Sequence, residues 1–221
     1  MILLVAILAG LVAGLLVARF RKQAQKQAPG QGWTVPPLRK PWLAILAFLP
    51  QLLISYLPTR GHVSDELAAL GLIASLALFL VFCWFNRRLS GVWLLALGLG
   101  FNLLVMALNG GFMPISPQTA SRLVPADAQA ALAALASGTR FGLKDILLLP
   151  AQTRLVWLSD QFLPPRGFPY QVAFSLGDII IAAGAFWLML TQGKPLGAFK
   201  KSLPEKPPKK LNDQLVKESK C

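Results

Sequence analysis

The sequence predicts an all-α membrane protein of about five transmembrane helices with a partly structured extracytoplasmic loop, on three observations. Only 14% of the residues are charged and 55% are hydrophobic, whereas a soluble domain carries about a quarter charged. The apolar residues gather into runs of about 17 to 20, and at ~1.5 Å rise per residue such a run matches a hydrocarbon core of ~30 Å. The basic residues lie between these runs in alternating rich and poor segments, as loops on the two sides of a membrane do.

The first run, residues 2–18, has no basic residue before it and Arg19, Arg21 and Lys22 directly after it, the reverse of a cleavable signal peptide. It reads as an uncleaved helix with its N-terminus outside. Ala6, Gly10, Gly14 and Ala18 recur at every fourth position, a small-residue stripe against which another helix packs closely. Residues 23–41 form a basic linker broken by Pro29, Gly30, Gly32, Pro36 and Pro37. In the second run, 42–57, Pro50 is expected to kink the helix and the Gln51 amide needs a partner inside the bundle. The loop over 58–65 holds His62, the one histidine, read as a loop residue. Runs 67–85 and 91–108 are joined by Asn86, Arg87 and Arg88 into a tight helical hairpin, and Asn109, Gly110 and Gly111 end it, glycine being the usual left-handed exit from a helix. The last run, 174–190, leads into a tail over 192–221 with eight lysines, three acids and four prolines, expected to be disordered.

Lysine and arginine counts set the topology: six in 19–41, one in 58–65, two in 86–90, five in 109–173 and eight after 191. The rich segments belong in the cytoplasm, and the 109–173 loop exceeds the ~60 residues over which the positive-inside rule acts. The expected location is the bacterial inner membrane, multi-pass, N-terminus outside and C-terminus cytoplasmic. Trp33, Trp42, Trp84, Trp93 and Trp187 fall on or near the cytoplasmic face, as an aromatic belt would. The net charge of +13 is spread between apolar segments rather than gathered in one basic domain, which argues against nucleic acid. Cys83 and Cys221 supply no disulfide framework. With one histidine and no Walker, GxGxxG, HExxH or GxSxG pattern, no metal and no cofactor is expected.

The outer loop, 109–173, is too long to be slack. Residues 126–137 begin after Pro125, carry Asp127 in the first turn and stop before Gly138, which predicts a short helix. Residues 141–149 and 155–163 are apolar but too short to span, and are expected at the membrane surface or dipping into the bundle, with Trp157 at the interface.

Five residues are candidates for chemistry. Asp178 is the only acid inside an apolar run, a functional position by default. Ser175-Leu176-Gly177-Asp178 equally reads as a capping box. Asp160, before Pro164 and Pro165, reads as a turn or cap residue. Asn102 and Asn109 share a helix face and suit interhelical hydrogen bonds, and Lys144 with Asp145 forms a solvated interfacial pair in which Lys144 could bind an anionic headgroup.

At Asn109-Gly110-Gly111-Phe112-Met113-Pro114 and at Phe174-Ser175-Leu176-Gly177-Asp178-Ile179 the chain resembles a family of small bacterial polytopic membrane proteins of unknown function, a likeness that covers most of the chain and implies location and shape. Residues 155–184 also resemble the end of lipoprotein signal peptidase, where one aspartate in a short extracytoplasmic stretch precedes another at the start of the last helix; Asp160 and Asp178 match these. The Gly-Asn-x-x-Asp-Arg segment before the first aspartate of that enzyme is missing here. Two functions are therefore carried forward. One is a non-enzymatic membrane component binding lipids or a partner protein, with Asn102, Asn109 and Lys144 as binding residues; the other is an aspartate-dependent hydrolase with Asp160 and Asp178 as its catalytic dyad and Asn109 as a positioning group.

Overall fold

The computed structural model describes residues 12, 36–56, 63–165 and 171–191. The expected helix over 2–18, most of the linker, His62 and the tail over 192–221 lie outside the described residues. In chain order the elements are α1 (Pro41–Tyr56), α2 (Asp65–Phe85), α3 (Val92–Leu108), β1 (Met113–Ile115), α4 (Pro117–Ser121), a 3-10 turn (Ala126–Ala128), α5 (Gln129–Ala133), β2 (Arg140–Phe141), β3 (Asp145–Leu147), 3-10 turns Pro150–Gln152 and Val156–Leu158, and α6 (Leu176–Thr191).

The protein is mostly helical, as expected, with a small sheet that the all-α expectation lacks. Among the described residues, α2 is the one helix long and apolar enough to cross a membrane; α1, α3 and α6 are apolar but shorter, 16, 17 and 16 residues. Only 28% of the apolar α2 window is buried. Trp42, Ile45, Leu53, Leu67, Leu70, Trp84 and Trp93 each expose half or more of their surface.

Close helix approach follows from small and polar residues. The Ser75 hydroxyl of α2 donates to the Ala47 carbonyl of α1 at 2.5 Å and accepts from the Gln51 amide at 2.8 Å, so Gln51 does find an interhelical partner. Between α3 and α6 the spacers are glycines: a Cβ at Gly98 would stand 2.5 Å from the Gly177 carbonyl oxygen, and one at Gly184 would stand 2.7 Å from the Leu95 amide. At the end of α3, Gly110 and Gly111 take φ of +80° and +87°, and the Gly111 amide donates to the Met106 carbonyl at 2.7 Å, the left-handed exit the sequence predicts.

These contacts make neighbouring helices antiparallel and give the bundle two unlike ends. One end gathers Arg39, Lys40, Arg87 and Arg88: the buried Asn86 side chain clamps Arg39 by accepting from its amide at 2.7 Å and donating to its carbonyl at 3.0 Å. There Lys40 lies over the Phe85 ring at 4.0 Å and Arg87 over Trp84 at 4.1 Å.

The other end carries a lobe made of the segment between α3 and α6. Its sheet has the order β1-β3-β2, with β1 parallel to β3 and β2 antiparallel to it. Ile115, Ala120, Leu132 and Leu147 form its own small core, while Phe112, Met113 and Leu158 pack into the main core with Leu72, Leu76, Val105 and Met106. The 126–137 segment is helical only as Ala126–Ala128 and Gln129–Ala133. The two apolar segments of this loop are folded: β3 sits within 141–149, and 155–163 holds a 3-10 turn and two bridges, Ile115 with Asp160 and Phe162 with Phe174. Strands of two or three residues are shorter than the window in which alternation can be read, which is why the sheet is invisible in the sequence.

Candidate functional site

The polar side chains named from the sequence meet where the lobe joins α3 and α6. The core of this site is the start of α6. Ser175 accepts from the Asp178 amide through Oγ at 3.1 Å, and Asp178 accepts from the Ser175 amide through Oδ2 at 3.1 Å, the reciprocal capping box. From α3, Asn102 closes the arrangement: its Nδ2 donates to Asp178 Oδ1 at 2.8 Å and its Oδ1 accepts from the Ser175 hydroxyl at 3.0 Å. Ser175 and Asn102 are buried, so this is a satisfied buried network across the helix pair. Gly177 makes it possible, because a Cβ there would collide with Asn102 Oδ1.

Asn109 serves the lobe rather than the helix pair. Its amide donates to the Val105 and Arg154 carbonyls at 2.7 and 2.9 Å and its Oδ1 accepts from the Arg154 amide at 2.9 Å. It thus holds the chain just before Leu155, which adopts φ +56°, ψ +54°, a left-handed conformation costly for a side chain of this kind.

Asp160 departs from the turn or cap reading. Its side chain is fully buried on the free edge of β1, where its amide donates to the Pro114 carbonyl at 3.0 Å. Oδ2 accepts from Lys144 Nζ at 2.5 Å, and Oδ1 has no hydrogen-bond partner. The Lys144 ammonium also lies 3.2 Å from Asp145 Oδ1, on a side chain only 16% exposed, so the expected solvated Lys144–Asp145 pair is a partly buried triad with Asp160. Sequence separation hides it, since Lys144 and Asp160, 16 positions apart, are brought together only when β1 pairs with β3 on one edge and meets Asp160 on the other.

Burial lifts the Asp160 carboxyl from 3.8 to about 7, against the pull of Lys144, with the Asp145 and Asp178 charges adding to the rise. For Lys144, burial acts to lower the pKa, but the carboxylates of Asp160, Asp145 and Asp178 outweigh it and hold the ammonium above its ordinary range. Asp160 therefore senses the Asp178 charge, yet each has its own partners, and both oxygens of Asp178 are taken by donors. Chemically the site offers two buried carboxylate oxygens without a hydrogen bond, Asp160 Oδ1 and Asp145 Oδ1, beside the Lys144 ammonium, and of the two Asp145 Oδ1 forms an ion pair with it at 3.2 Å. Among the described residues no group of three or more His, Cys, Asp or Glu side chains is placed to hold a metal ion.

Arg140 is a junction residue that the sequence reading missed. It reaches Asp65 at the start of α2 at 3.6 Å, donates to the Leu143 carbonyl at 3.2 Å and lies 5.3 Å from the Phe112 ring centroid. An isolated arginine in a loop carries no signal of such a role.

No curated protein and no solved structure matches the chain. Residues 36–190, which take in every element described above except the last residue of α6, match the model of a family of unknown function, DUF5317, and the chain belongs to that family.

Proposed function

We propose that the protein is a non-enzymatic integral component of the bacterial inner membrane, with α1, α2, α3 and α6 among about five spans, that binds membrane lipid or a partner protein. The observation that carries this reading is the exposure of the helix faces: in water the bare apolar surface of α1, α2 and α3 would be an aggregation liability, and in lipid it is solvated. The 16- and 17-residue helices reach about 24–26 Å at ~1.5 Å per residue, within what a bilayer accommodates by local thinning. The two ends support an orientation, with the Arg39, Lys40, Arg87 and Arg88 end in the cytoplasm beside anionic headgroups and the lobe outside. Trp42, Trp84, Trp93 and Trp187 belong to the basic half of the helices, where an aromatic belt sits.

Cysteine accessibility tests the reading. Ala136→Cys and Arg88→Cys are placed separately in a Cys83→Ser, Cys221→Ser background and treated in intact cells with a membrane-impermeant maleimide. Labelling of position 136 from outside, and of 88 only after permeabilisation, is expected; a chain found in the soluble fraction, or the reverse pattern, refutes it. Native mass spectrometry of the purified protein should find anionic lipid retained, and less of it after Arg87→Gln with Arg88→Gln.

A second reading, an aspartate-dependent hydrolase of the lipoprotein signal peptidase type, is favoured by one observation, the donor-free oxygen of Asp160 within electrostatic reach of Asp178. The saturated hydrogen bonding of Asp178 weighs against it. It requires the two carboxylates to converge on one water, so an Asp160→Cys, Asp178→Cys pair in the cysteine-free background should oxidise to a disulfide, which needs Cα atoms within about 7 Å; no cross-link removes this reading.

A further inference from the structure

We propose that Asp160 is a proton-binding site at the junction of lobe and bundle, and that proton uptake there releases the Lys144 ion pair tying the segment after Val156–Leu158 to the β2–β3 turn. The geometry selects this residue among the acids of the cluster. Facing it are Lys144 from the β2–β3 turn, Asp145 from β3 and Asp178 from the first turn of α6. Three carboxylates thus share one ammonium. Asp178 has donors on both oxygens, and Asp145 keeps some surface and lies 3.2 Å from the Lys144 ammonium. Asp145 Oδ1 likewise has no hydrogen bond, but its side chain is 16% exposed and that oxygen is the one ion-paired with Lys144, whereas Asp160 Oδ1 belongs to a side chain with no exposed surface and has no donor.

Such an oxygen is costly as part of an anion, because burial removes the water that would solvate it and nothing replaces that water. A proton from solvent removes the cost: it bonds to the carboxyl, the charge is neutralised, and no other bond changes. Lys144 then retains Asp145 as its counter-ion. The electrostatics agree, since burial and the neighbouring carboxylates together outweigh Lys144 and bring the Asp160 carboxyl to about 7. The Asp160 backbone remains on β1 through Pro114, so the event loosens a side-chain tie without unfolding the sheet. The inference does not depend on membrane insertion.

The test is infrared difference spectroscopy of the full chain in detergent between pH 5 and 9. A protonated-carboxyl band should titrate with a midpoint near 7, vanish in Asp160→Asn, and move to lower pH in Asp145→Asn, which removes a charge that raises Asp160. Should Asp160→Asn fail to fold, the Asp145→Asn displacement makes the assignment by itself. The proposal is overturned if no band titrates in this range, or if the band survives Asp160→Asn or ignores Asp145→Asn. A residue that only braces the fold as a permanent ion pair would give no titrating band.

Discussion

Replacing Gly177 by alanine should break the α3–α6 junction at its tightest point. The new Cβ would fall on Asn102 Oδ1 and 2.9 Å from the Gly98 carbonyl oxygen. Backbone cannot give way locally, so either the helices separate or the Asn102 side chain swings out. Separation is overpacking, worth about 1–3 kcal/mol. Swinging out breaks the bond to Asp178, worth about 1.5–3 kcal/mol as a bond to a charged group, and the bond to Ser175, worth about 1 kcal/mol. Alanine regains about 1 kcal/mol of helix propensity. The net loss is about 0–2 kcal/mol if the helices separate and about 1.5–3 kcal/mol if Asn102 swings out, readable as a lower midpoint in reversible detergent-denaturant unfolding. Gly100→Ala is the control: a Cβ there meets nothing within 4 Å, so only the propensity gain of up to about 1 kcal/mol applies. If Gly177→Ala unfolds with, or later than, Gly100→Ala, the close approach described here is wrong.

Three further outcomes are expected. Asn102→Leu should cost about 2–4 kcal/mol, because Asp178 Oδ1 and Ser175 Oγ lose their cross-helix partner; the loss should not add to that of Asp178→Asn, and additive values would disprove the network. Asn109→Ala should raise proteolysis and hydrogen exchange around Arg154 and Leu155, because Arg154 loses both of its backbone hydrogen bonds to the Asn109 side chain, and protection equal to wild type would contradict this. The pH dependence has a fixed sign: the Asp160 carboxyl is raised from 3.8 to about 7, so its stabilising contribution is complete below 3.8 and is lost as pH rises through 7. Thermal unfolding should therefore show wild type losing stability relative to Asp160→Asn between pH 4 and 8; a constant or growing advantage refutes the shift.

Much of the helical part was legible because its signals are local. The 3.6-residue helix gives long apolar runs, so four of the helices read from the sequence recur with ends shifted by no more than two residues. The Ser175–Asp178 capping box is written within four residues, and the Gly110–Gly111 exit within two, so both could be read before any packing was known. Gln51 announced a need for a partner, though Ser75 could not be named from α1 alone.

What the sequence by itself determined is therefore an apolar helical chain with unlike ends, its helix caps, and a set of polar residues that had to be accounted for. The tertiary structure decided which of them meet. Asn102 and Asp178 are 76 residues apart and Lys144 and Asp160 are 16 apart; no local pattern couples them, because pairing of this kind is set by the glycine-spaced contact of α3 with α6 and by β1 receiving a neighbour on each edge. Burial is likewise a property of the assembled fold. Asp160, before Pro164 and Pro165, reads in sequence as a turn or cap residue, and only the packing of the lobe removes the water that would keep its carboxyl ordinary.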